Sequence, residues 1–395
     1  MAAGELHPVS PLPGSVTSVA DRDGWLEDWR LAAALLALAA ALAIGWAVVA
    51  VRAHRAGRRP RHPVLRRAGL GGLTAVVTLA GVAAAVNSYA GYAPDVPSLI
   101  RQAPGLIGIR DTGGGPVDTS GLADGSRYGP RLSSFVLSDP ADRIPPGRTW
   151  VYLPAGYTDP ANARHRYPVV YLIHGWISSS YDWFGGGRAA QIAALLQREG
   201  LIQPMILVAP DASGGTVRDT ECLDSTTGGP RIETFLTRTV VRVINARFRT
   251  LAGRDDRAIG GLSAGGYCAL NLGLRHQAEF AAILAMEPYG GPGGSAIRFM
   301  LGGNQALGRQ NSPSDYVRTL RLRYRQAVFL GAASNDGTRG DARLFGSILA
   351  RRGDYVSVST LTHYGHTWRE GRAELPYALR FASTVLRTPS PARAH

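Results

Sequence analysis

Two uncharged apolar stretches, residues 31–51 and 68–93, stand apart from the rest of the chain. Each exceeds the roughly 20 helical residues that cross a bilayer core, so both are read as membrane-spanning helices. Further on, the pattern changes to short apolar runs alternating with helical spacing. The runs at 132–137, 149–153, 169–173, 205–209, 257–262, 281–286, 327–331 and 356–361 have strand length. Helical periodicity marks 188–198, 231–248, 267–276, 341–351 and 374–386. Such alternation predicts an α/β domain: a mainly parallel, eight-stranded sheet with helices on both faces. Ligands on sheets of this kind bind beyond the carboxyl ends of the strands.

The same pattern divides the chain into a polar tail (1–30), a first span (31–51), a basic connection (52–67), a second span (68–93), a linker (94–130) and a domain (131–388). The linker is rich in Gly, Pro, Asp and Ser and is expected to hold little regular structure. A cleavable signal does not fit, because about 30 polar residues precede the first apolar run. Small residues at Ala37, Ala41 and Gly45, and at Ala80, Ala84 and Ser88, offer faces on which two membrane helices could pack. The connection holds seven arginines and no acid. The positive-inside rule assigns it to the cytoplasm, which puts the tail and the domain outside.

Composition adds a formal charge of +14, with every basic residue an arginine. A basic surface favours anionic envelope polymers or lipid head groups, but an all-arginine, Ala- and Gly-rich chain also fits a GC-rich genome. No nucleic-acid-binding motif accompanies the charge. The cysteines, Cys222 and Cys268, suit either an exported disulfide or, for Cys268, a small buried helix residue. Neither has metal-ligand spacing, and no metal or cofactor is implied.

The chemistry begins at Gly261-Leu262-Ser263-Ala264-Gly265, where an apolar run breaks into a Gly-x-Ser-x-Gly turn before a helix. Serine is a weak nucleophile near neutrality and needs a base, itself oriented by an acid. With the nucleophile on such a turn, the expected order is Ser, acid, His. Asp336 follows the run 327–331 and His366 follows 356–361. Asp341 is the reserve acid, better suited to a helix cap, and His363 competes with His366. His174-Gly175-Trp176 ends the run 169–173. There His174 orients a loop, and the amides of Trp176 (or Ile177) and Ala264 form the oxyanion hole. Glu287 is read as structural or pocket-lining, not catalytic. The Gly-rich stretch 287–311 is either a mobile lid or an ordinary loop, and 220–230 rims the site.

Tyr167-Pro168-Val169-Val170-Tyr171-Leu172-Ile173-His174-Gly175, Asp182-Trp183, the run Gly261–His276 and Gly365-His366-Thr367-Trp368 together resemble the putative-esterase group of α/β-hydrolases. That group includes esterase-D-like S-formylglutathione hydrolases, feruloyl esterases and mycobacterial mycolyltransferases. The resemblance implies an α/β-hydrolase fold with Ser263 as nucleophile, Asp336 as acid and His366 as base. It also places His174, Gly175 and Trp368 at the substrate. The activity it implies is hydrolysis of small-molecule or lipid carboxylic esters, which the membrane topology read above places outside the cytoplasm. The alternatives are acyl transfer to a sugar or lipid hydroxyl, and a non-catalytic envelope module.

Overall fold

The computed structural model describes residues 5–57, 63–106 and 127–391, so part of the basic connection and most of the linker lie outside the described residues. The chain forms two compact units, residues 22–99 and residues 1–21 with 100–395.

The first unit is built on two helices, Trp29–Arg55 and Pro63–Ala90. Asp28 caps the first by accepting from the Arg30 amide at 2.9 Å. Trp29–Arg55 and Gly69–Ala90 are long and apolar enough to cross a membrane, and 6% of each apolar window is buried. The two helices pack with Ala32, Ala39 and Gly81 inside, and a Cβ on Gly81 would come within 2.8 Å of Leu36. The expected small-residue faces are thus corrected. Ala37, Ala41, Gly45 and Ala80 are exposed, while Ala84 and Ser88 are half-buried. Alanine occurs all round these helices, so the seam forms where a glycine lets the partner in.

A further helix, Val96–Leu106, occupies the start of the stretch expected to lack regular structure. Asp95 accepts from the Ser98 amide at 2.8 Å at its first turn, and Pro97 is tolerated there because that turn's N–H groups have no intrahelical partner.

The second unit holds the sheet. Its strands are β1 (Arg131–Asp139), β2 (Ile144–Leu153), β4 (Val169–Ile173), β5 (Ile206–Ala209), β6 (Arg257–Leu262), β7 (Ala282–Met286), β8 (Ala327–Ala333) and β9 (Tyr355–Leu361); β3 (His165–Arg166) pairs separately with β10 (Ser390–Pro391). The order across the sheet is β1-β2-β5-β4-β6-β7-β8-β9. β2 pairs antiparallel with β1 and β5, and every other neighbouring pair is parallel. Strands β4 to β8 are buried at every residue, which is why they read as unbroken apolar runs. The helix Ala264–Arg275 packs on β6 and β7, and Trp368–Val385 packs on β7, β8 and β9.

The tail belongs to this unit. The His7 amide donates to the Val356 carbonyl at 2.7 Å, pairing His7 parallel to Ser357 on the sheet-edge strand β9. The helix Gly14–Asp21 buries Val16 and Ala20 and packs against Trp368–Val385. Arg380 donates to the Pro11 carbonyl at 2.5 Å, and the Tyr364 hydroxyl donates to Asp21 at 2.6 Å.

Cys222 and Cys268 form a disulfide across 46 residues of sequence. It ties the loop after β5 to the helix that follows Ser263. Replacing both cysteines with alanine should remove up to about 4 kcal/mol, the chain-entropy value for a loop of this length. Denaturant melts of the double variant against the oxidised protein measure the loss.

Candidate active site

Ser263 sits at the carboxyl end of the central strand β6, on a turn with φ 60° and ψ −121°. Three glycines make the turn possible. A Cβ on Gly261 would lie 2.1 Å from the Gly265 carbonyl oxygen, one on Gly265 2.1 Å from that of Ile173, and one on Gly266 2.1 Å from that of Met286. The left-handed backbone at a serine costs about 1–3 kcal/mol. Surrounding bonds hold it: the Ser263 amide donates to Met286 at 3.0 Å, and the Tyr267 amide donates back to Ser263 at 2.9 Å.

His366 lies beyond β9, with Nε2 2.6 Å from the Ser263 hydroxyl oxygen and Nδ1 2.8 Å from Asp336 Oδ2. Asp336, beyond β8, also accepts from the Thr338 amide at 3.1 Å and its hydroxyl at 2.7 Å. Burial alone would raise the Asp336 carboxyl, but the bonds from His366 and Thr338 outweigh it and hold it below its ordinary range. Residues 103 positions apart thus meet in the expected Ser, Asp, His order. His366, not His363, reaches the serine; His363 occupies an exposed loop position with φ 71°. Asp341 is not at the cap position: Thr338 stands there, without a side-chain cap bond, and Asp341 falls within the first turn of the helix Arg339–Arg351.

The turn after β4 comes as close. A Cβ on Gly175 would lie 3.1 Å from the Leu262 carbonyl oxygen and 3.4 Å from the Ser263 Cβ. His174 is buried and braces this turn: Nδ1 lies 2.8 Å from its own neighbour's carbonyl at Gly175, and Nε2 accepts from the Ala212 amide at 3.0 Å. That pairing assigns the tautomer with the proton on Nδ1. The Trp176 indole donates to the Val217 carbonyl at 2.8 Å, joining the turn to the loop after β5.

A shallow cleft, open to solvent, runs from Gly175, Trp176 and Ala264 between these two loops. Its lining is mixed: Ser178, Ser179, Arg218, Asp219 and Glu221 alternate with apolar surface from Trp176, Ile177, Ala212 and Val217, and both disulfide cysteines border it. Burial, then the charge of Asp219, pushes Glu221 up to about 7. Glu221 accepts from the Tyr289 hydroxyl at 3.0 Å and the Gly293 amide at 2.8 Å. These bonds clamp the start of the stretch 287–311, which folds into the helices Gly294–Met300 and Gln305–Gln310 and buries Met300. The stretch thus carries two short helices where the sequence suggested a lid or an ordinary loop.

Trp368 is also corrected. It is 3% exposed, edge-on to Trp183 at 5.1 Å, and does not line the cleft. Thr367 caps a helix that starts at Trp368, and the indole turns inward from that first position. Glu287, read from its strand-end position as structural or pocket-lining, lies closer to the histidine than that reading implied: fully buried at the end of β7, it has Oε2 3.2 Å from His366 Nδ1. Glu287, Asp336 and His366 have ligand-type atoms all within 4.8 Å of one another, spacing that would suit a cation. The Nδ1 there is already bonded to Asp336.

Residues 147–359 match the family model described as "Putative esterase". An uncharacterised protein of Corynebacterium glutamicum is 28% identical over 220 residues, covering 54% of this chain and 47% of the relative. An esterase of Mycobacterium tuberculosis is 32% identical over 166 residues, covering 41% of this chain and 33% of its own length. The chain therefore spans less than half the length of either relative. An S-formylglutathione hydrolase from Agrobacterium tumefaciens superposes with a TM-score of 0.55 at 18% identity, over 66% of this chain and 98% of that one. At that identity the likeness is one of fold, and it is the α/β-hydrolase fold. With the family model matched across the sheet from β2 to β9, the chain belongs to the Putative esterase family.

Proposed function

We propose that the protein is a membrane-anchored serine esterase acting outside the cytoplasm on carboxylic esters with short or polar acyl groups. The observation that carries this is the unbroken line Ser263–His366–Asp336 at three strand ends, beside a cleft that begins at the Gly175-Trp176 turn. Ser263 attacks the ester carbonyl while His366 Nε2 takes its proton. The amides of Trp176 and Ala264 hold the developing oxyanion. His366 returns the proton to the departing alcohol, giving an acyl-enzyme. Water, deprotonated by the same nitrogen, then attacks the acyl carbon and releases the acid and Ser263.

The cleft's openness to solvent and its mixed lining favour water as acceptor and small acyl groups; a long lipid chain would need an enclosed apolar channel. Anchoring is supported by two apolar helices whose surfaces are almost wholly unburied, unlike core helices. The tail before the first helix packs on the domain after the second. Both ends of the helical pair therefore belong on one side, opposite the arginine-rich connection. The disulfide fits an oxidising exterior.

Hydrolysis of p-nitrophenyl esters by the full chain in detergent tests the substrate reading. Acetate and butyrate should exceed palmitate by about tenfold or more in kcat/KM, the size of preference a pocket can impose through acyl length. Preference for palmitate, or turnover that requires added glycerol or trehalose, would replace hydrolysis with acyl transfer.

A further inference from the structure

Glu287 has a role its position makes specific. It is the first residue beyond β7, held at φ 51° with its amide donating to the Gly331 carbonyl at 2.7 Å. Strand β7 lies between the strands that carry Ser263 and Asp336, so its end faces the histidine from the same side as the acid. The Nδ1 proton of His366 therefore faces two carboxyl oxygens, Asp336 Oδ2 at 2.8 Å and Glu287 Oε2 at 3.2 Å. Glu370 and Glu374, both fully buried on the helix Trp368–Val385, also face Glu287.

Carboxyls this close and this dry do not all ionise. Burial first, then the charges of Glu370 and Asp336, pushes the Glu287 carboxyl far above its ordinary range, whereas Asp336 lies below its own. The proton therefore resides on Glu287, with Asp336 as its acceptor, and one negative charge is left against His366.

We propose that Glu287 is a second, proton-bearing carboxyl of the histidine's acid site, a positioning residue that shares one negative charge with Asp336 and takes over Nδ1 of His366 when Asp336 is removed. In the wild type it donates to Asp336 and fixes that carboxylate against the imidazole. With asparagine at 336 the carboxylate that accepts from Glu287 and repels its charge is gone, which lowers the cost of releasing the Glu287 proton although burial and Glu370 still oppose it. Its carboxylate then accepts from Nδ1.

The test compares Asp336→Asn with Asp336→Asn/Glu287→Gln in the full chain, reading kcat/KM for p-nitrophenyl acetate from about pH 6 to 9. The single variant should stay within about 100-fold of wild type at its plateau above about pH 8. The double variant should fall by about 10⁴ at the same plateau, the cost of leaving the imidazole with no acid. A single variant already down by about 10⁴ there, unaffected by the second change, overturns the proposal. If the double variant does not fold, the single variant decides alone: a plateau loss of about 10⁴ sinks it. The inference rests on the triad reading. That reading fails if Ser263→Ala stays active; if Ser263→Ala is dead and Asp336→Asn has lost about 10⁴, only the role of Glu287 fails.

Discussion

Ser263→Ala should lower kcat for ester hydrolysis by about 10⁴-fold or more while leaving the fold intact. Its hydroxyl makes one of the two bonds of the catalytic line, to His366 at 2.6 Å. Without it no acyl-enzyme forms, and only oxyanion stabilisation and binding remain. Alanine also fits the site sterically, because it removes an atom without asking the backbone to move. A fluorophosphonate probe should label the wild type and not the variant, and thermal melts of the two should nearly coincide. Equal labelling of both proteins would show that Ser263 is not the nucleophile.

Gly265→Ala should cost about 3 kcal/mol or more of stability and most of the activity, although it adds a single methyl group. That methyl would fall 2.1 Å from the Ile173 carbonyl oxygen and 2.8 Å from that of His174. Both are backbone atoms, one in a fully buried strand and the other at the head of the Gly175-Trp176 turn, so neither can swing aside as a side-chain tip would. Relief requires the helix Ala264–Arg275 to lift from β4, which shifts the Ala264 amide relative to the Gly175-Trp176 turn. Gly337→Ala makes a fair control, since nothing lies within 4 Å of a Cβ there. Denaturant melts and p-nitrophenyl acetate turnover should separate the two variants; similar stabilities would refute the clash.

The sheet was legible because burial on both faces erases polar alternation, leaving β4 to β8 as plain apolar runs. The line of Ser263, Asp336 and His366 was legible because each residue follows such a run. The long terminal helix was harder. It begins at Trp368, six residues before the apolar spacing from 374 announces it, and its first turns bury the charged Glu370, Arg372 and Glu374, which break that spacing. Trp368 was misplaced for a related reason: adjacency to His366 in sequence says nothing about which way a first helical residue turns. The seam between the apolar helices could not be phased, because alanine repeats on every face. Glu287 gave no local signal, since its partners come from loops and a helix 49 or more positions away in the chain.

The pairing of His7 with Ser357 bears on how the protein can be cut for study. The obvious soluble fragment would begin after the second apolar helix, near residue 94, and keep all eight strands of the sheet. It would also remove the single bridge that His7 makes to β9, freeing the Val356 carbonyl on the sheet edge, and would uncover the face of Trp368–Val385 against which the helix Gly14–Asp21 packs. Such margins recruit strands from other molecules. A fragment made that way would invite aggregation through β9, and supplying residues 5–21 as a separate peptide, or splicing them ahead of residue 127, would be the way to quiet it.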